Sequence, residues 1–144
     1  MGSEDHVATA DVTIAASAQR VWDALTAPDR LPELWFGAVV RTSWQPGSPI
    51  TWNGEWKGTR YQDKGEILAF DPPRLLRLTH YSPLSGEPDI PENYHALEFA
   101  LSEADGTTRV TLAQNGNPTE EAAQHSQGMW GQLLQILKKV VEEA

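Results

Sequence analysis

Four histidines, and six tryptophans against three tyrosines and three phenylalanines, are the residues from which this chain could build a site. His80 and His95 matter most, because the strand register derived below sets them opposite one another on an inner sheet face. Two imidazoles a few ångströms apart titrate together near neutral pH, hydrogen-bond a ligand's polar group, or supply two ligands to a metal. A third metal ligand is hard to find: Glu98 lies on the opposite strand face by parity, and His125 sits in a separate helical segment. No metal and no cofactor are therefore expected. Trp52 and Trp56 share a strand face through Gly54, while Trp35 and Phe36 end a short helix, so together they would form the wall and mouth of an apolar pocket. Core packing is the competing account of the same aromatics. Tyr61, His80, His95 and Gln114 would supply the polar groups of such a pocket, with Met129 and Trp130 contributed by the C-terminal helix.

Signatures of hydrolysis and phosphate binding are absent. The chain has no Gly-x-Ser-x-Gly elbow, no cysteine nucleophile, no Gly-rich phosphate loop and no His-Glu-x-x-His helix. Adjacent Glu120 and Glu121 suit a helix N-terminus, and Arg77 with Glu98 forms a solvated pair on the outer sheet face. The lack of a catalytic motif favours a binding role over an enzymatic one. An enzyme on the same pocket, of cyclase, dehydratase or hydrolase type, would use His80 and His95 as acid and base.

The elements that would hold these residues follow from periodicity. A first strand begins near Ala8 and alternates around Val12 and Ile14; Ser17 then caps a short helix whose apolar face is Val21, Trp22 and Leu25. Pro28 opens a second short helix. Six strands follow, over Val39–Trp44, Pro49–Trp56, Tyr61–Phe70, Leu75–Ser82, Tyr94–Leu101 and Thr107–Gln114. The short connections demand an antiparallel meander. A two-residue Asp105-Gly106 turn pairs Leu101 with Val110, Phe99 with Leu112 and Leu97 with Gln114. Closing the Pro83–Glu92 loop at Ser82 and Asn93 pairs Leu76 with Phe99, Leu78 with Leu97 and His80 with His95. The last segment opens on Asn117-Pro118-Thr119-Glu120, with Asn117 as cap, and runs unbroken to about Glu143. Its stripe of Ala122, Met129, Leu133, Ile136, Leu137 and Val140, widened by Trp130, Leu134 and Val141, would dock across the concave sheet face. Gly128 and Gly131 within it would allow a close approach or a bend.

The fold class is thus α+β, a curved antiparallel sheet of about seven strands wrapped around a long C-terminal helix, as one domain over residues 8–144 after a flexible tail at 1–7. A formal charge of -9 repels phosphate backbones and anionic lipids, which argues against nucleic acid and membrane partners. No apolar run approaches the roughly 18 residues of a spanning helix. Without cysteine there is neither a disulfide nor a thiolate zinc site, which fits a cytoplasmic address.

Three segments carry a family likeness: Asp71-Pro-Pro-Arg-Leu-Leu-Arg-Leu-Thr79, the loop from Ser82-Pro-Leu-Ser-Gly to Glu92-Asn-Tyr-His95, and His125-Ser-Gln-Gly-Met-Trp-Gly-Gln-Leu-Leu134. Together with the element order, they resemble bacterial proteins related to the activator of Hsp90 ATPase, within the START/Bet v 1-like superfamily. The resemblance covers residues 8–144 and implies a helix-grip fold with a cavity between sheet and helix. It implies no shared catalytic set. A small apolar molecule is the expected partner, with a chaperone-linked interaction as another possibility, in a monomer or homodimer.

Overall fold

A computed structural model describes residues 6–26, 34, 38–83, 86–117 and 119–143. Within them the strands are β1 (His6–Ile14), β2 (Val39–Thr42), β3 (Pro49–Trp56), β4 (Thr59–Asp71), β5 (Leu75–His80), β6 (His95–Ala104) and β7 (Thr107–Asn117). The helices are α1 (Ala18–Thr26) and α2 (Glu120–Glu142). One antiparallel sheet runs in the order β1-β7-β6-β5-β4-β3-β2, a meander whose last strand returns to pair with the first. The second short helix expected from Pro28 falls outside the described residues. The first strand starts at His6, two residues ahead of the expected Ala8, because His6 still pairs with Asn117 across an irregularity in the ladder.

Both hairpin registers hold. Asp105 and Gly106 sit at φ 56 and 77, the left-handed pair that a two-residue turn of right-handed twist requires. Ala104 then meets Thr107, and the pairs 101–110, 99–112 and 97–114 follow. The same inner face continues through Leu76–Phe99, Leu78–Leu97 and His80–His95. Arg77 and Glu98 pair on the outer face, with Nε and Oε1 3.6 Å apart.

α2 differs from expectation in its cap and its phase. Thr119 is the N-cap, its hydroxyl accepting from the Ala122 amide at 3.0 Å. Asn117 stays in β7, where its amide donates to the His6 and Gln114 carbonyls while its Oδ1 accepts from Ser126. A buried Asn with several local acceptors gains more there than as a cap. The buried stripe is Ala123, Trp130, Leu133, Leu134, Leu137 and Val141, with Ala122 and Val140 only partly covered. The glycines Gly128 and Gly131 mark no close approach, since a Cβ on either meets nothing within 4 Å among the described residues. At 23 residues the helix is about 35 Å long. It lies chiefly over β1 and β7 and touches α1, at one side of the concave face. Small Ala8 and Ala10 on the inner face of β1 leave room for it there.

Candidate functional site

Along the strands, the inner sheet face passes from apolar to polar. At the apolar end Trp22 of α1 meets Phe70 edge-on at 5.3 Å, and Trp44 lies against the same ring at 6.0 Å. At the other end Tyr61 and Asp63 of β4, His80 of β5, His95 of β6 and Gln114 of β7 occupy inward positions.

Strand register explains how Asp63 joins this set. Ile67 is fully buried and pairs with Leu78, so Gly65, Asp63 and Tyr61 share its face at steps of two. The Lys64–Tyr81 bridge continues the register and brings Gly65 beside His80. A Cβ on Gly65 would collide with the Thr79 carbonyl, so only glycine permits this approach of β4 to β5. His80 leans across that gap, its Nε2 2.9 Å from Asp63 Oδ2. A carboxylate only accepts, so the proton of this bond sits on Nε2 and Nδ1 is the free nitrogen of the neutral ring. The two side chains are 21% and 13% exposed. Trp52, buried on β3 and paired with Asp63, meets the His80 ring edge-to-face at 4.8 Å. Asp63 Oδ1 is buried without a hydrogen-bond partner, an arrangement that costs about 1–3 kcal/mol of stability. Burial, and then the charge of Asp63, push the Tyr61 phenol above its ordinary range. The Tyr61 ring lies across Gly54, where a Cβ would stand 2.6 Å from its hydroxyl.

The other expected residues divide. His95 faces His80 in the ladder, but its ring lies over Gly116, where a Cβ would collide with Nδ1. The two imidazoles thus turn to opposite neighbours and form no joint site, and no metal-holding group of three His, Asp or Glu exists among the described residues. Gln114 Oε1 accepts from the Trp130 indole, and both are buried, so this pair fastens α2 to β7. Met129 is 38% exposed, because one residue before Trp130 the helix has turned by a quarter and points away from the sheet. It does not belong to the site. Trp35, Phe36 and the Trp56 side chain lie outside the described residues.

Asp63 is the member that sequence reasoning missed. Asp63 lies in the polar run Tyr61-Gln-Asp-Lys-Gly-Glu66, where the sequence singled out Tyr61 alone, and a count back from Phe70 would put Lys64 inside. A ladder irregularity between Ile67 and Ala69 reverses that parity. Counting from Ile67 would have found it.

Two concavities lie on neighbouring strands, neither of them lined by Asp63, His80 or Trp52. One of about 660 Å³ is lined by Asn53, Gly54, Glu55, Arg60, Tyr61 and Gln62 on the β3–β4 hairpin. Another of about 470 Å³ lies where the β5–β6 loop folds back, lined by Gly65, Glu66, Thr79, Asp89, Pro91 and Tyr94. That loop is fastened by Asp89, which accepts from Tyr94 at 2.6 Å and pairs with Lys64 at 2.5 Å.

A curved antiparallel sheet closed by a long C-terminal helix, with polar side chains gathered at one end of its inner face, defines a helix-grip domain of the Bet v 1-like type. The chain belongs to the family described as Activator of Hsp90 ATPase homolog 1-like protein, whose model matches residues 15–142. It is similar to the solution structure of ChR145 from Cytophaga hutchinsonii, at 41% identity and a TM-score of 0.84 over 96% of this chain and 94% of that one. The Aha1 dimer from Colwellia psychrerythraea shares the fold at 20% identity and a TM-score of 0.73, covering 95% and 96% of the two chains. Ara h 8.0201 shares it at 13% identity and 0.76, over 97% and 99%. No curated protein matches the chain. No helix among the described residues is long and apolar enough to cross a membrane.

Proposed function

We propose that the inner face of the sheet holds a small apolar or aromatic molecule, its body against the wall that includes Trp52 and its polar group at the Asp63–His80 end. One observation carries this reading: a largely buried Asp–His pair at the polar end of a concave face whose other end is apolar. Buried polar groups cost stability unless something uses them, and a few converging polar groups in apolar surroundings are the usual make-up of a small-molecule site. Family and fold agree with a ligand-binding domain. Native mass spectrometry of freshly purified protein should show a retained compound, or NMR titration with naphthalene should shift the Trp52 indole and His80 imidazole signals. Unchanged signals up to the probe's solubility limit, with no retained mass, would sink the proposal.

A second reading has its own support. Asp63 fixes the tautomer of His80 and leaves Nδ1 available as a base, which is how an orienting carboxylate serves general acid–base catalysis. Under it, His80→Ala abolishes turnover of whatever compound the protein retains; under simple binding the same change only weakens affinity.

A further inference from the structure

We infer that this site selects ligands presenting a hydrogen-bond donor, such as a phenol, an alcohol or a protonated amine, to Asp63 Oδ1, and discriminates against carboxylates and phosphates. The inference rests on the ligand-binding reading above and specifies the ligand's chemistry. Asp63 Oδ2 is already engaged by His80 Nε2 at 2.9 Å, while Oδ1 is buried and has no partner. A carboxylate oxygen accepts hydrogen bonds and donates none, so only a donor completes it. Gly65, the next inward residue of β4, has no side chain, and Ile67 and Leu78 beyond it are apolar. Tyr61 carries a hydroxyl on the same strand face, but its ring is laid across Gly54. An anionic ligand at Oδ1 would meet the Asp63 charge at close range. His80 is turned to Asp63, and Lys64 sits on the outer face, paired with Asp89. In so sheltered a position the repulsion is screened far less than at an exposed one.

The test uses three probes on one ring system, naphthol, naphthalene and naphthoate, titrated into the full chain and read by the shift of the Trp52 indole signal. Naphthol should bind about tenfold tighter than naphthoate, the size of one well-made buried hydrogen bond. Asp63→Asn places a donor where Oδ1 stood and should erase or invert that preference. If naphthoate binds as tightly as naphthol, donor selection is wrong even though a ligand site exists. If naphthalene and both derivatives fail to bind, the ligand-binding reading falls and takes this one with it. The wild-type ranking decides between these outcomes even if Asp63→Asn does not fold.

Discussion

At the scale of single residues, this interior uses its buried polar groups in two ways. Gln114 and Trp130 satisfy one another and hold α2 on β7, whereas Asp63 keeps one oxygen unpaired beside His80. Gln114→Leu should therefore behave as a stability mutation. Removing the buried acceptor is expected to lower unfolding free energy by about 1–3 kcal/mol in urea denaturation, with naphthalene affinity unchanged. His80→Ala should do the reverse in kind: a modest effect on the urea midpoint and a roughly tenfold loss of naphthol affinity, checked by the same NMR titration. A Gln114→Leu protein that unfolds like the wild type but no longer binds would exchange the two roles. Gly116 constrains the third polar residue. Its φ of 77, and the His95 ring above it, make Gly116→Ala strained on both counts, with an expected cost of about 1–3 kcal/mol.

Among the elements, what the sequence made legible depended on how local the deciding physics is. The Asp105-Gly106 turn and period-two alternation fix the β5–β6–β7 register, because a slip of one residue would turn every core side chain outward. Ser17 caps α1 as read, accepting from the Arg20 amide. The α2 cap was misread because Asn117, Pro118 and Thr119 all carry N-terminal signals, and only the tertiary partners of Asn117 decide among them. The helical phase was misread for a similar reason: Met129 and Trp130 are both apolar, and the sheet chose Trp130 for its hydrogen bond to Gln114. Asp63 stayed hidden because a lone carboxylate in a polar run carries no local sign of burial, although it stands two residues from Tyr61 on the same face. Since Gly128 is exposed and serves no close approach, Gly128→Ala should raise stability by about 0.5–1 kcal/mol through helix propensity alone. At the other end of α2, hydrogen bonds from Lys138 and from the Ala15 amide hold the Glu142 carboxyl below its ordinary value. A carboxylate depressed in the folded state stabilises above its unfolded pKa, and that contribution is lost as pH falls through the folded value. The stability difference between wild type and Glu142→Gln should accordingly be present at neutral pH and vanish in acid; a difference that persists below the folded pKa would remove Glu142 from this role.

For the molecule as a whole, stability and the proposed binding reside in different parts of one interior. β1, β7, α1 and α2 close on one another through Leu133, Leu134, Leu137 and Val141, and through ties such as Arg20 to the Val141 carbonyl and Lys138 to that of Thr13. The Asp63–His80 pair lies on β4 and β5, toward the opposite edge of the sheet and beyond the main contacts of α2. Leu137→Ala should thus cost about 2–5 kcal/mol in unfolding while sparing the site. Binding within the interior also has a consequence that binding to the outer surface of an unfolded or loosened chain lacks. A ligand taken up only by the native state, at a hundred times its Kd, stabilises by about 2.7 kcal/mol. For a chain of this size that corresponds to a rise in Tm of roughly 5–11 °C. Thermal unfolding with naphthol at that excess should show this rise in the wild type and, because the core is untouched, an equal increment above the lowered baseline of Leu137→Ala when the probe is again held at a hundred times Kd. A rise confined to the wild type would mean that the helix-packed half and the Asp63–His80 end act as a single unit in binding.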